Sequence, residues 1–355
     1  MKLKIEKEKD NYFQDININD KTFKYKIFKY FYSLFQEKKE FNLFIKIFQI
    51  FIETIQFISY AFSSNHYNSW KLGISNISLI SNILNAFRIS TFLTYLNYKV
   101  YLSISYSLFI IIFILCLIVI LNIIFIESTS KLYIFSLTII RSLIDIISII
   151  FYIPITEIIL MPIKCVNGKV YGFEDGETCW EILHYINFII GIIGAILLFI
   201  WSNFMLNFSF YPFQKSMSTI RITSNNDIII LIMKLFIIIQ YLLISNEYIS
   251  SVILLLISIV IFLSCYNEST YNNNKLEICI IIKNLLIVWS YLVLLISKLF
   301  LNVPANGFIY LLIFGYPIII YLSIIIHNEK DFENINSLNI KNINDYVKKE
   351  NLILN

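Results

Sequence analysis

The sequence predicts an all-α fold, a polytopic bundle of transmembrane helices with about eight spans and one further hydrophobic segment of ambiguous placement. Three observations predict it. Hydrophobic residues make up 58% of the 355 and charged residues only 15%, whereas soluble domains carry about 25% charge. Apolar runs able to supply the ~20 residues that cross a ~30 Å hydrocarbon layer recur from residue 41 to residue 327. The connections between them are short, so the chain divides into a basic N-terminal segment (1–40), a transmembrane domain (41–327) and a polar C-terminal tail (328–355). Ile, Asn, Lys, Phe and Tyr dominate and arginine is limited to Arg88, Arg141 and Arg221. This bias matches an AT-rich genome, so an asparagine inside a span carries little signal.

Residues 1–20 read as a solvated tail. Lys21 to Phe35 mixes lysines with aromatics, which suits either a helix at the headgroup level or a plain basic flank. The net charge of +4 has its excess here, at Lys21, Lys24, Lys26, Lys29, Lys38 and Lys39. Basic residues beside a first span favour a cytoplasmic N-terminus, and no nucleic-acid partner is expected. The segment has no continuous apolar core, so the first span is expected to serve as its own insertion signal.

Phe41–Phe62 is that span, interrupted by Lys46, Glu53 and Gln56. Lys46 lies near the end and is expected to snorkel, while Glu53 lies deep enough to need a partner or a proton. Leu72–Tyr98 is the ambiguous segment, with Ser, Asn and Thr interleaved among its apolar residues and Arg88 inside it. Tyr101–Ile126 has no charged side chain and is hydrophobic all round, as expected of a helix facing lipid or other apolar helices. Leu132–Met161 and Trp180–Trp201 form a hairpin around a polar cap, and Gly191 and Gly194 offer a close-packing face. Four further spans, Ile228–Ile244, Ser251–Cys265, Ile278–Leu301 and Phe308–Ile326, complete the set.

With eight spans the cap loop lies outside and both termini inside. The later inside loops then hold Lys131, Lys215, Arg221 and Lys275, in line with the basic bias of cytoplasmic loops. A crossing by 72–98 would reverse that agreement, so eight spans are preferred.

Cys165 and Cys179 flank the cap loop, and a disulfide follows if the loop is extracytoplasmic. Zinc is disfavoured, with only His184 nearby and no Cys-x-x-Cys. Arg141 and Asp145 share one helix face and read as an internally neutralised pair; a voltage or proton sensor is the sharper reading, but voltage sensors repeat their basic residues. Glu157, Lys234 and Lys283 are further intramembrane charges that either extend a polar path or pack near an interface. No phosphate loop, His-Glu-x-x-His or Gly-x-Ser-x-Gly occurs, and the histidines are scattered. No enzyme activity, cofactor or metal is therefore expected.

Ile55-Gln56, Trp70, Cys165, Cys179-Trp180-Glu181, His184, Thr219-Ile220-Arg221-Ile222, Asn226-Asp227, Trp289 and Gly315-Tyr316-Pro317 occur in an order that resembles the membrane region of large ciliate multi-pass proteins. The resemblance covers roughly residues 41–327. It implies a following cytoplasmic part, often with PAS-type sensor domains, and hence a chain truncated at Asn355. The function expected from the sequence is a non-enzymatic membrane anchor or sensory region. Its partners would be the lipid bilayer and a cytoplasmic signalling partner or missing C-terminal domains. The alternative is a transporter or channel for a small solute or ion.

Overall fold

A computed structural model describes residues 26–27, 29–30, 43–66, 70, 83–84, 86–93, 96–125, 135–137, 139–140, 143, 146–166, 168–170, 173, 178–208, 225–267, 273–300 and 308–329. Its α-helices are α1 (Leu43–Ala61), α2 (Ile89–Leu93), α3 (Tyr98–Ile124), α4 (Tyr152–Leu160), α5 (Ile182–Phe208), α6 (Asn225–Leu243), α7 (Glu247–Asn267), α8 (Asn274–Leu299) and α9 (Phe308–Glu329). All but α2 and α4 are long and apolar enough to cross a membrane, seven helices among the described residues.

The first hairpin arm is interrupted where the apolar run suggests one span. Its described residues between 135 and 143 are helical, Ile146–Ile150 form a π turn, α4 follows, and Met161–Ile163 close as a 3-10 turn. Pro154 explains the break. It has no N–H to give the carbonyl of Ile150, and its ring crowds that carbonyl. The backbone responds with the wider turn, in which the Phe151 N–H reaches back to the Ile146 carbonyl at 2.9 Å.

Side-chain contacts fix the direction of each helix. Gln56 donates to the Ile150 carbonyl at 3.0 Å and Tyr60 to Glu157 at 3.2 Å, so α1 and the 135–163 arm run in the same sense. Glu53–Lys234 and the Tyr60–Tyr241 ring contact make α6 parallel to α1. Glu53–Lys283 and Tyr291 on the Phe57 carbonyl do the same for α8. α7 runs the other way, joined to α6 by Gln240–Ser250 at one end and Asn226–Ser264 at the other. α5 runs against this set, since His184 meets the Pro162 carbonyl and Gly191 meets Ile159, and α3 runs in the same sense as α5, with Tyr106 on Asn187 and Phe109 on Gly194.

α1 ends and α3 begins on the face that carries the cysteine hairpin, hereafter the cap face. Between them α2 is the one named helix among the described residues, and residues 72–82, 85, 94 and 95 of the ambiguous segment lie outside the described residues. α3 is exposed along most of its length, as its uniform hydrophobicity implies: Ile110, Ile111, Ile114, Leu117 and Ile120 all face outward.

The cap consists of two short strands, β1 (Cys165–Val166) and β2 (Lys169–Val170), turning at Gly168, whose φ of +79° suits glycine. The Cys165–Cys179 disulfide closes it with a Cα–Cα distance of 6.2 Å, which stabilises the fold by about 3 kcal/mol on the chain-entropy argument. Phe173 anchors the cap between Tyr98 and Tyr101, with centroids 5.1 and 4.8 Å away.

Beneath it, α5 packs on α4 through its glycines. A Cβ at Gly191 would lie 2.8 Å from the Ile159 carbonyl oxygen, and one at Gly194 would lie 3.0 Å from both Ile159 and Phe109. Gly191→Leu is expected to force the two helices apart at a cost of about 2 kcal/mol or more. A thermal melt of the detergent-solubilised protein checks this, and an unchanged midpoint would refute the close packing.

Candidate functional site

Breaking the arm at Pro154 leaves carbonyls in the middle of the bundle that a membrane cannot hydrate. Two side chains meet them. Gln56 of α1 bonds the Ile150 carbonyl, and Lys234 of α6 donates to the Ile149 carbonyl at 3.1 Å. Lys234 also pairs with Glu53 at 2.5 Å, and Glu53 pairs through its other oxygen with Lys283 of α8 at 2.8 Å. One carboxylate thus holds two ammonium groups, all three buried. The network ties α1, the broken arm, α6 and α8 at a single level.

This triad lines a cavity of about 40 Å³, room for one or a few water molecules. The lining continues away from the cap through Lys46 and Gln49 on α1 and Asp227 on α6. Lys46, Gln49 and Glu53 follow i, i+3, i+7 spacing and Asp227 and Lys234 follow i, i+7, so each helix presents a polar stripe to the same space. Lys46 therefore does not snorkel as its position near a helix end suggests; it is buried and turned into the bundle. The Ser148 hydroxyl, in the π turn, also lines the cavity and has no hydrogen-bond partner among the described residues.

A second polar layer lies toward the cap. Tyr60 is seven residues beyond Glu53 on α1, about 10 Å along the axis. Here the Arg88 guanidinium pairs with Glu157 of α4 and lies over the rings of Tyr60 (4.5 Å) and Tyr241 (4.2 Å). Such a cage compensates a buried guanidinium through both the carboxylate and the aromatic faces. Lys164, next to the disulfide, donates to Asn65 at 2.8 Å and sits 4.0 Å from the Tyr241 ring centre. Burial, helped by the nearby Arg88 charge and opposed by Glu157, brings its ammonium down to about 7. His66 contacts the Ser250 hydroxyl at 3.1 Å, and burial holds its imidazole down at about 4. Lys298–Glu247, at 2.9 Å, closes the same end between α8 and α7.

The charges singled out in the sequence thus fall into two groups, Glu53 with Lys234 and Lys283, and Arg88 with Glu157. Arg141 and Asp145 lie outside the described residues. Cys165 and Cys179 belong to the cap and join neither group. His184 packs beneath them, 3.4 Å from the Cys165 sulfur and 3.0 Å from the Pro162 carbonyl oxygen. Sequence reasoning placed Lys46 at the interface and assigned no site role to Asp227, Lys164 or the two tyrosines. The heptad-spaced polar positions of α1 and α6 and the proline within the first arm were the signals available for part of this set. The chain matches no known protein family, no curated protein and no solved structure among those compared.

Glu157→Met alone leaves Arg88 buried and unpaired, and a loss of roughly 3–5 kcal/mol is expected. The double variant Arg88→Met/Glu157→Met is expected to recover most of it. Thermal midpoints in detergent check this, and equal melting of the single and double variants would show that the two groups are not coupled.

Lys164 gives a pH signature. The unfolded chain keeps this proton up to its ordinary value near 10.5, while the folded one releases it near 7, so between the two the unfolded state binds more protons and stability rises with pH. The melting midpoint is expected to climb from pH 7 to 10, and Lys164→Met is expected to flatten that climb. An identical slope in the variant would assign the dependence elsewhere.

Proposed function

We propose that the chain is a non-enzymatic multi-pass membrane protein that passes a small ion or solute across the bilayer, with Glu53, Lys234 and Lys283 as the group that receives it. The observation that carries this reading is convergence. Three buried ionisable side chains from helices far apart in sequence meet on one cavity, and its polar lining reaches the ends of α1 and α6 opposite the cap. Ionisable residues inside a bundle are costly, and where they share a cavity they mark pathways. A helix broken beside them is a recurring device of transporters, because freed backbone groups and side chains together coordinate the cargo. Ser148 supplies one more polar side chain to the same lining.

The cargo enters from the face opposite the cap, along Lys46, Gln49 and Asp227. Above Glu53 the way is closed, because Tyr291 bonds the Phe57 carbonyl at 2.7 Å and the Arg88–Glu157 layer follows. Passage therefore requires the cap-side layer to part while the entry narrows, an alternation of access around a fixed central site. The basic N-terminal segment favours an entry on the cytoplasmic side, with the disulfide cap outside. A chain that only anchored a signalling partner would have no use for a cavity at this level, so one experiment separates the two readings.

Purified protein is reconstituted into liposomes containing a pH-sensitive dye, and proton, potassium and chloride gradients are applied in turn. One of these fluxes is expected to exceed that of protein-free liposomes. The apolar triple variant Glu53→Met/Lys234→Met/Lys283→Met keeps the volume without leaving a charge alone, so it is expected to fold. It should reduce the flux at least tenfold with the melting midpoint retained. Proteoliposomes no leakier than empty ones to all three ions, or full flux in the triple variant, would overturn the reading.

A further inference from the structure

A second cavity, of about 310 Å³, lies between α4, α5 and α6 in the cap-side half of the bundle. It is independent of the ionic site and its chemistry is opposite. Every lining residue is apolar, among them Leu160, Phe188, Ala195, Phe199, Leu235 and Leu242. It is about twice the volume of an engineered dry cavity of ~150 Å³ that accepts benzene, and it falls at the lower end of pockets that hold small ligands, about 300–1,000 Å³.

Its depth is informative. The lining runs from Phe188 to Phe199 on α5 and from Leu235 to Leu243 on α6, which at ~1.5 Å per residue is roughly 12–16 Å. That is about half of a ~30 Å hydrocarbon layer, the depth of one leaflet. Its rim is continuous with the surface that meets lipid, because Ile196, Ile239 and Leu243 belong to the lining and are themselves exposed, and Ile189, Ile193 and Phe236 beside them are exposed too. At the cap end Trp180, just before α5, and Tyr185, in its first turn, are both exposed, residues that suit the headgroup level.

We infer that this groove is a binding site for one acyl chain of a membrane phospholipid from the cap-side leaflet, with the headgroup at the level of Trp180 and Tyr185. The lining has no polar group for a headgroup to bond, so recognition is of the chain and not of the headgroup. A free fatty acid is the less suitable occupant, since its carboxylate would find no partner within the groove.

Native mass spectrometry tests this. Protein delipidated in detergent is titrated separately with dimyristoyl phosphatidylcholine, dimyristoyl phosphatidylglycerol and myristic acid. One phospholipid per chain is expected to survive collisional activation, with the two headgroups equivalent within about twofold. Ala195→Phe, which fills the groove, and Ile239→Phe, which narrows its mouth, are each expected to lower that occupancy at least fivefold. Ile189→Phe, on the open lipid face, is expected to leave it unchanged, and melting midpoints report whether each variant folds. Occupancy that ignores both groove substitutions in folded protein would show the retained lipid to be bound elsewhere. Retention of myristic acid in preference to both phospholipids, or a tenfold headgroup preference, would also overturn the assignment.

Discussion

The Ile150 carbonyl cannot keep a helical partner, because the residue four positions on is Pro154. In water such a group would bond solvent; inside a bilayer-spanning bundle it must be met by protein. Gln56 meets it, Lys234 takes the neighbouring Ile149 carbonyl, and Lys234 in turn needs Glu53. Glu53 has an oxygen left over for Lys283. A single backbone defect thus propagates into a chain of obligations that reaches four segments of the bundle. Hydrophobic packing alone distinguishes poorly between helix arrangements in lipid, since lipid tails are as apolar as the side chains. Directional polar contacts of this kind select one arrangement.

That selection yields a topology in which α1 is surrounded by segments running in its own sense: the broken arm, α6 and α8. The oppositely directed α3, α5 and α7 fill in around them. Parallel neighbours place equivalent ends at one level, so the cap face gathers Tyr60, Glu157, Tyr241 and Lys298 together with the Arg88 segment. The two polar layers differ in character. The central triad borders a cavity, whereas Arg88 is closed in by a carboxylate and two aromatic rings.

Much of this was legible in the amino-acid sequence where a local rule applies. Hydropathy located the apolar runs, and seven of them are helices long and apolar enough to cross a membrane among the described residues. The spacing of Cys165 and Cys179 around a polar loop anticipated their disulfide, and Gly191 and Gly194 anticipated the tight contact with Ile159. Pairings between distant charges were not legible, because nothing local relates residues 69 or 230 positions apart. The i, i+4 rule draws the eye to Arg141 and Asp145, while Arg88 and Glu157 meet only through the fold. Lys46 was misjudged for a similar reason: nearness to a helix end says how far a side chain must reach for water, not which face of the helix it leaves from. Pro154 was readable but was averaged away within a run long enough to count as one span.

The wide separation of the triad in sequence also has a consequence in time. At about 5–20 residues per second, translation reaches a residue 230 positions later after roughly 12–46 s. Glu53 enters the membrane with the first helix, and both of its cationic partners are made long afterwards. Through that interval Glu53 lacks both ammonium partners, and a carboxyl group without them is carried in the bilayer at lower cost when protonated. A chain stopped before α6 would leave that carboxyl in the membrane with neither ammonium to pair it.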